Sequence, residues 1–311
     1  MDNLCHKAIV TGANGFLGRY LIDVLLKNEY KIWAVIRENA NDIDFLRNNK
    51  NIILVYCNLY DYKGLKNLIN DDNFDVFYHL AWDGSSGEKR SDYKLQLNNI
   101  QSSIEAVETA VDLKCKRFVG AGSITEIMYR EYLTHDSSSP ESISYYAIAK
   151  ITTEYMCRCK CIENEIEFVW GYLSNFYGIG DKTENIINSL ILAYVNNKTP
   201  KLTDGEQLVD FTYVTDVALG LFMLGEKAKA GRNYYVGYGK PKPLKEFVLE
   251  VCKYLGIKES GLGLKKLKGL TIDFENIDVN KLSNDTGFKA LISFEEGIKK
   301  TINWIKDKYK R

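Results

Sequence analysis

Histidine and proline are scarce in this chain, with three His and four Pro in 311 residues. His6, His79 and His135 stand at no metal-ligand spacing, so a histidine-based metal centre is not expected. Proline far below its usual ~5% leaves room for long uninterrupted helices. Charge of one sign is also missing, since 41 Lys and Arg balance 41 Asp and Glu. Such a chain offers no global field for nucleic acid or acidic lipid, and neither is expected as a partner. No apolar run approaches the ~20 residues that a membrane-crossing helix needs. The opening MDNLCHKAIV reads as the start of a strand and not as a signal peptide. A soluble, cytoplasmic protein is the expectation.

What is present has an ordinary globular composition, 45% apolar and 26% charged, which excludes disorder and collagen-like repeats. The length suits roughly two average domains, or one large α/β domain with a smaller one appended. The 21 tyrosines could line a pocket for a polar, ring-shaped ligand, although Tyr is also an ordinary half-buried residue. The seven cysteines (Cys5, Cys57, Cys115, Cys157, Cys159, Cys161 and Cys252) are an odd number and read as free thiols in a reducing compartment. Among them, Cys157, Cys159 and Cys161 fall in a helical stretch where only the first and last share a face. With no His nearby, buried thiols plus a solvated residue are expected there, and no metal.

The first half alternates β-branched runs with amphipathic stretches, the pattern of βαβ units and a parallel sheet. Strands are predicted at Lys7–Gly12, Lys31–Arg37, Ile52–Asn58, Asp75–Ala81, Arg117–Gly122 and Glu167–Ser174, with the longest helices around Asp92–Leu113 and Ser144–Glu163. Six such strands make an α/β fold, a doubly wound (Rossmann-type) parallel sheet that binds its ligand beyond the strands' C-terminal ends. After Ser174 loops and helices dominate. Strand-like Gln207–Tyr213 runs into a helix from Thr215, Arg232–Gly237 reads as a further strand, and Pro243–Leu255 and Phe294–Asp307 read as helices. The expected division is a nucleotide-binding domain of residues 1–177 plus about 207–230, and a smaller C-terminal α/β substrate-binding domain of 178–206 plus 231–311.

At the end of the first strand stands Thr11-Gly12-Ala13-Asn14-Gly15-Phe16-Leu17-Gly18. A chain that must turn sharply, offer backbone N–H groups to a pyrophosphate and start a helix needs this pattern. Gly12 permits the turn, Gly15 the close approach, and Gly18 the packing of helix on strand. Further on, Tyr146-Ala147-Ile148-Ala149-Lys150 places a phenol and an ammonium one helical turn apart. A free phenol, with a pKa of about 10, holds its proton too tightly at neutral pH, and a neighbouring ammonium favours the phenolate.

The three-residue glycine spacing together with the Tyr-x-x-x-Lys pair resembles the extended branch of the short-chain dehydrogenase/reductase superfamily, the NAD(P)-dependent nucleotide-sugar epimerase/dehydratase family. The resemblance covers nearly the whole chain. It implies Tyr146 as acid/base, Lys150 as the residue that lowers its pKa and binds the nicotinamide ribose, and Ser123, after the fifth strand, as the hydroxyl that holds the reacting oxygen. Tyr145 has Ala149 where the Lys would stand and is the lesser candidate. Thr125 is expected to contact the substrate, or to exchange roles with Ser123. The dinucleotide is expected on Gly12, Asn14, Gly15, Phe16, Leu17 and Gly18, on Asn58 and Leu59 after the third strand, and beside Leu80 and Ala81 after the fourth. His79 is expected to be structural, and Asn99 resembles the family residue that props the site.

Where NAD sites carry an acidic residue at the end of the second strand, this chain has Ile36 followed by Arg37, whose guanidinium suits a 2′-phosphate. NADP is therefore expected, with NAD the alternative through Glu38. On the substrate side, Leu173–Asp181 and Val209–Asp216 resemble family stretches that meet a sugar nucleotide, and Asn175 is implied as a contact. The arginines usual in those stretches are Tyr172 and Val209 here, and Arg232, Lys182 or Lys201 are possible replacements. The polar loop Trp82–Arg90 is expected either to cover the sugar as a lid or to be a plain surface loop. The acidic pair that follows the catalytic hydroxyl in related dehydratases is absent from Ile124-Thr125-Glu126. A 4-ketoreductase acting on a nucleotide-linked sugar is thus the leading expectation, a 4-epimerase the alternative, and a non-catalytic dinucleotide sensor the reading from another class. A homodimer is implied through the two long helices, with the helix that carries Cys157 and Cys161 lying partly in that contact.

Overall fold

The computed structural model describes residues 6–258, 260–267 and 269–309, so the free thiol expected at Cys5 lies outside the described residues. All six expected strands form, within two residues of the bounds read from sequence: β1 (Lys7–Thr11), β2 (Lys31–Ile36), β3 (Ile52–Tyr56), β4 (Val76–His79), β5 (Arg117–Ser123) and β6 (Glu167–Leu173). Five short strands follow, β7 (Asn175–Tyr177), β8 (Leu208–Val209), β9 (Phe211–Tyr213), β10 (Arg232–Val236) and β11 (Lys242–Pro243). The helices are α1 (Phe16–Lys27), α2 (Asp44–Arg47), α3 (Tyr93–Asp112), α4 (Ile124–Thr134), α5 (Tyr145–Glu163), α6 (Ile186–Val195), α7 (Val214–Glu226), α8 (Leu244–Leu255), α9 (Lys281–Thr286) and α10 (Phe294–Tyr309).

The main sheet runs β3-β2-β1-β4-β5-β6-β10 with every pair parallel. Strand order reverses between β1 and β4, which opens a crevice at their C-terminal ends. The seventh strand is a correction to the sequence reading. Arg232–Val236, expected in the smaller domain, extends the main sheet beside β6, in register from Arg232↔Val169 to Val236↔Leu173. The expected strand Gln207–Tyr213 is also broken in two, because Asp210 turns a buried carboxylate onto the Tyr235 hydroxyl (2.7 Å) and the Gly239 N–H (2.8 Å).

Both sheet faces are covered, so β1 reads as a continuous apolar run. Ala8 and Val10 face α1 and α7, whereas Ile9 faces the side of α3 and α5. On that second face, rings stack across neighbouring strands, Phe77 on Phe118 at 5.3 Å and Phe118 on Phe168 at 6.3 Å. Asp92 starts α3 by accepting the N–H groups of Lys94 and Leu95, and no proline interrupts its 20 residues. Cys157 and Cys161 of α5 are fully buried against this sheet face, as their shared helix face led us to expect. Burial raises both thiols, and Cys159 between them is exposed. No helix among the described residues is long and apolar enough to cross a membrane.

His79 closes β4 inside this core, with Nδ1 2.9 Å from Thr11 Oγ1 and Nε2 2.9 Å from Ser103 Oγ. Burial, helped by the charge of Lys150, lowers its pKa from 6.5 to about 3. The unfolded chain therefore takes up a proton below pH 6.5 that the folded one refuses, and stability falls as pH falls from there. Between pH 6.5 and 5 the loss should reach about 2 kcal/mol. Urea denaturation across that range measures it, and His79→Gln should flatten the slope.

Candidate active site

The crevice begins at the end of β1. Gly12 has φ +68°, a conformation that L side chains rarely adopt, and its carbonyl accepts the Gly15 N–H at 2.9 Å. A Cβ at Gly12 would lie 3.1 Å from the Ala81 nitrogen, and one at Gly18 would lie 2.2 Å from the Gly12 oxygen. Thr11 Oγ1 holds the neighbouring chain in place by accepting the Leu80 and Ala81 N–H groups at 3.1 and 3.2 Å. Helix α1 starts from Gly15 with no side chain capping its first N–H groups, and Gly15, Phe16, Leu17 and Gly18 all line the cleft. Uncapped N–H groups at a helix start, with glycine backbone open to close approach, fit the pyrophosphate of a dinucleotide.

Of the other residues expected to meet that group, Gly12 and Leu80 line the cleft. Ala81 packs behind Gly12, and the Asn14 carbonyl is occupied by Arg19 Nε at 3.1 Å. Asn58 and Leu59 follow β3 half-buried, while Arg37 and Glu38 follow β2 exposed, side by side.

The cleft holds about 600 Å³, and Ser123, Thr125, Tyr146, Lys150 and Asn175 all reach it. Tyr146 is buried in its wall, whereas Tyr145 is turned outward against Tyr93. Ser123 is placed by the start of α4, where it forms a capping box with Glu126. Its Oγ accepts the Thr125 N–H (3.2 Å), and Glu126 Oε1 accepts the Ser123 N–H (2.6 Å). The Ser123 hydroxyl donates to Thr125 Oγ1 at 3.1 Å. Glu126 is fully buried, its other oxygen accepting Trp170 Nε1–H at 3.0 Å.

Lys150 stands one helical turn beyond Tyr146 on α5. Its Nζ donates to the Ala121 carbonyl at 2.8 Å and lies 3.6 Å from the centre of the Trp82 ring. Burial raises the Glu126 carboxyl and lowers the Lys150 ammonium, and each is drawn back by the charge of the other. Burial also raises the Tyr146 phenol. The groups acting against that rise are Arg90 and the hydrogen-bonded Ser123.

Sequence reasoning missed three residues of the loop Trp82–Arg90 and of the helix beneath it. The Trp82 ring stands edge-on to Tyr146 at 6.0 Å. Arg90 lies over the Tyr146 ring. Gln96 donates to the Gly84 and Lys89 carbonyls (3.2 and 3.1 Å) and accepts Trp82 Nε1–H (3.1 Å). Asn99 clasps the backbone of Asp83 through both its N–H (3.0 Å) and its carbonyl (2.8 Å). The loop is therefore stapled to α3 at three backbone positions, with Ser85, Ser86, Gly87 and Arg90 along the cleft. Two polar residues one turn apart on α3, facing a glycine-rich loop, were the available signal.

The replacements considered for the missing arginines do not converge on the cleft. Arg232 opens β10 at the far edge of the sheet and pairs with Asp285 at 3.3 Å, and Lys182 pairs with Asp42 at 3.0 Å. Lys201 is exposed. Tyr172, at one of the arginine positions, is buried and donates to Glu154 at 2.9 Å.

A profile of the NAD dependent epimerase/dehydratase family matches residues 8–237. The dTDP-D-glucose 4,6-dehydratase of Dictyostelium discoideum is 23% identical over 98% of this chain and 83% of its own length. The dTDP-6-deoxy-L-talose 4-dehydrogenase (NAD(+)) of Aggregatibacter actinomycetemcomitans is 26% identical over 78% of this chain and 88% of its own. Among solved structures, the UDP-glucuronic acid 4-epimerase of Bacillus cereus in complex with NAD superposes with a TM-score of 0.77 at 22% identity, covering 98% of each chain, and shares the fold. The chain belongs to the NAD dependent epimerase/dehydratase family.

Proposed function

We propose that this protein oxidises and reduces C4 of a nucleotide-linked sugar, with Tyr146 moving the hydroxyl proton. The observation that carries this reading is the meeting of Ser123, Tyr146 and Lys150 in one cleft with the uncapped start of α1. A bound nicotinamide dinucleotide supplies the hydride acceptor and donor. Gly12, Gly15 and the first turn of α1 would hold its pyrophosphate, and Lys150 would bind its ribose. Ser123 and Tyr146 take the reacting oxygen between two hydroxyls, with Thr125 and Asn175 against the sugar. In the oxidation step the phenolate accepts the C4 hydroxyl proton, and in the return step the phenol gives it back.

Elimination of water is set aside. Ile124 and Thr125 occupy the positions where the dehydratase resemblance requires an acidic pair, and Glu126 spends both oxygens on Ser123 and Trp170 inside the protein. That leaves two outcomes of the same chemistry. The 4-epimerase, which retains NAD and returns the hydride to the opposite face, is the favoured reading, supported by the NAD-bound epimerase neighbour. The 4-ketoreductase is favoured by one observation, the exposed Arg37 directly after β2, which suits the 2′-phosphate of NADP.

A homodimer is part of the proposal. Ile148, Tyr155 and Ile162 stand seven residues apart on the outer face of α5, beside Tyr93 and Leu97 of α3, and all five are exposed. Together they form an apolar surface of the kind that a second copy covers.

The reading is tested with UDP-glucose, UDP-glucuronic acid, dTDP-glucose and their 4-keto derivatives, products being read by NMR. Inversion at C4 with NAD retained supports the epimerase. Consumption of NADPH by a 4-keto sugar supports the reductase, and a 4-keto-6-deoxy product would overturn the exclusion of dehydration. Tyr146→Phe should lower turnover by about a hundred- to ten-thousand-fold while the dinucleotide still binds. Leu97→Asp combined with Ile162→Asp should sediment as a monomer where the unaltered protein sediments as a dimer.

A further inference from the structure

The tyrosine expected to move the proton has an unexpected neighbour. The Arg90 guanidinium lies 4.2 Å from the centre of the Tyr146 ring, and its Nη2 donates to Thr125 Oγ1 at 3.2 Å. Thr125 Oγ1 in turn accepts the Ser123 hydroxyl, so one cation touches the ring of Tyr146 and ends the hydroxyl chain that begins at Ser123. Arg90 Nε is buried without a hydrogen-bond partner. Asp83, a carboxylate of the same loop, is engaged by Lys89 at 3.4 Å and by the Tyr60 hydroxyl at 3.2 Å.

Three charged groups face Tyr146 from the elements around it: Arg90 from the loop, Glu126 from α4 and Lys150 from α5. Lys150 directs its charge at the Ala121 carbonyl and the Trp82 face, and Glu126, when ionised, opposes ionisation of a phenol. A guanidinium against the ring face favours the phenolate, because the extra negative charge of the ionised ring is shared over that face. We propose that Arg90 is a second cation, besides Lys150, that lowers the proton affinity of Tyr146, a positioning residue acting through the tyrosine ring. This rests on the reading of Tyr146 as acid/base. It gives the loop Trp82–Arg90 a definite role, because the staples from Gln96 and Asn99 hold the backbone on either side of Arg90's approach to the ring.

The test reads the ionisation of Tyr146 directly. Protein labelled at tyrosine Cζ is titrated by NMR with NAD in excess, and the resonance missing from the Tyr146→Phe protein is that of Tyr146. Arg90→Met and Arg90→Gln should raise its titration midpoint by about one pH unit, which is tenfold less phenolate at a fixed pH below the midpoint. Arg90→Lys, which returns a cation to the ring, should move the midpoint back toward that of the unaltered protein. A midpoint unchanged in both neutral variants overturns the proposal, as does a shift that Arg90→Lys leaves in place. No turnover is needed, so failure here leaves the proposed reaction standing, and an inactive protein can still show the shift.

Discussion

The candidate site depends on how one indole is seated. Gly120 and Gly122 leave a slot at the end of β5, and the Trp170 ring from β6 fills it so closely that a Cβ at either glycine would come within 2.1 or 2.2 Å of the ring. Seated there, Trp170 Nε1 can reach only a buried acceptor, and Glu126 is that acceptor. The same carboxylate then takes the Ser123 N–H and starts α4, which fixes where the Ser123 hydroxyl stands. Between the two glycines, the Ala121 carbonyl is left to hold Lys150. Two side chains of the cleft, Ser123 and Lys150, are thus placed by the packing of one ring against a bare stretch of strand.

A buried carboxylate is expensive unless its oxygens are satisfied and a positive charge is near. Glu126 meets both conditions, with an N–H on each oxygen and Lys150 close enough to oppose its rise. That arrangement explains why the ammonium of α5 is committed inward in this structure, to a carbonyl, an indole face and a carboxylate. The second cation presented to the phenol comes from outside the sheet, on a loop whose seating is set by α3.

Much of this was legible in the sequence where the physics is local. The glycine loop, the Tyr146–Lys150 spacing and the alternation of apolar runs each lie within one turn or one strand, so residue order alone carries them. The seventh strand was not legible, because Arg232–Val236 finds its place only once β6 is known to be the open edge of the sheet. The partners of Lys150 were not legible for a related reason, since only the sheet brings Ala121 and Trp82 to it. Arg90 looked like one charge in a polar loop, and only Gln96 and Asn99, reaching up from α3, fold that loop onto the tyrosine. The burial of Cys157 and Cys161 followed their spacing, but which way their face turned depended on the packing of α5 on the sheet.

The central claim is hydride transfer from C4 of a nucleotide-linked sugar, and the origin of the hydrogen tests it most directly. Protein given UDP-glucose, UDP-glucuronic acid or dTDP-glucose deuterated at C4 is quenched during turnover, and its released dinucleotide is weighed by mass spectrometry. Deuterium on the reduced nicotinamide, and none when the label is placed at C3, is the predicted result. Turnover with the label left on the sugar throughout, or lost from C4 to solvent, would contradict the account.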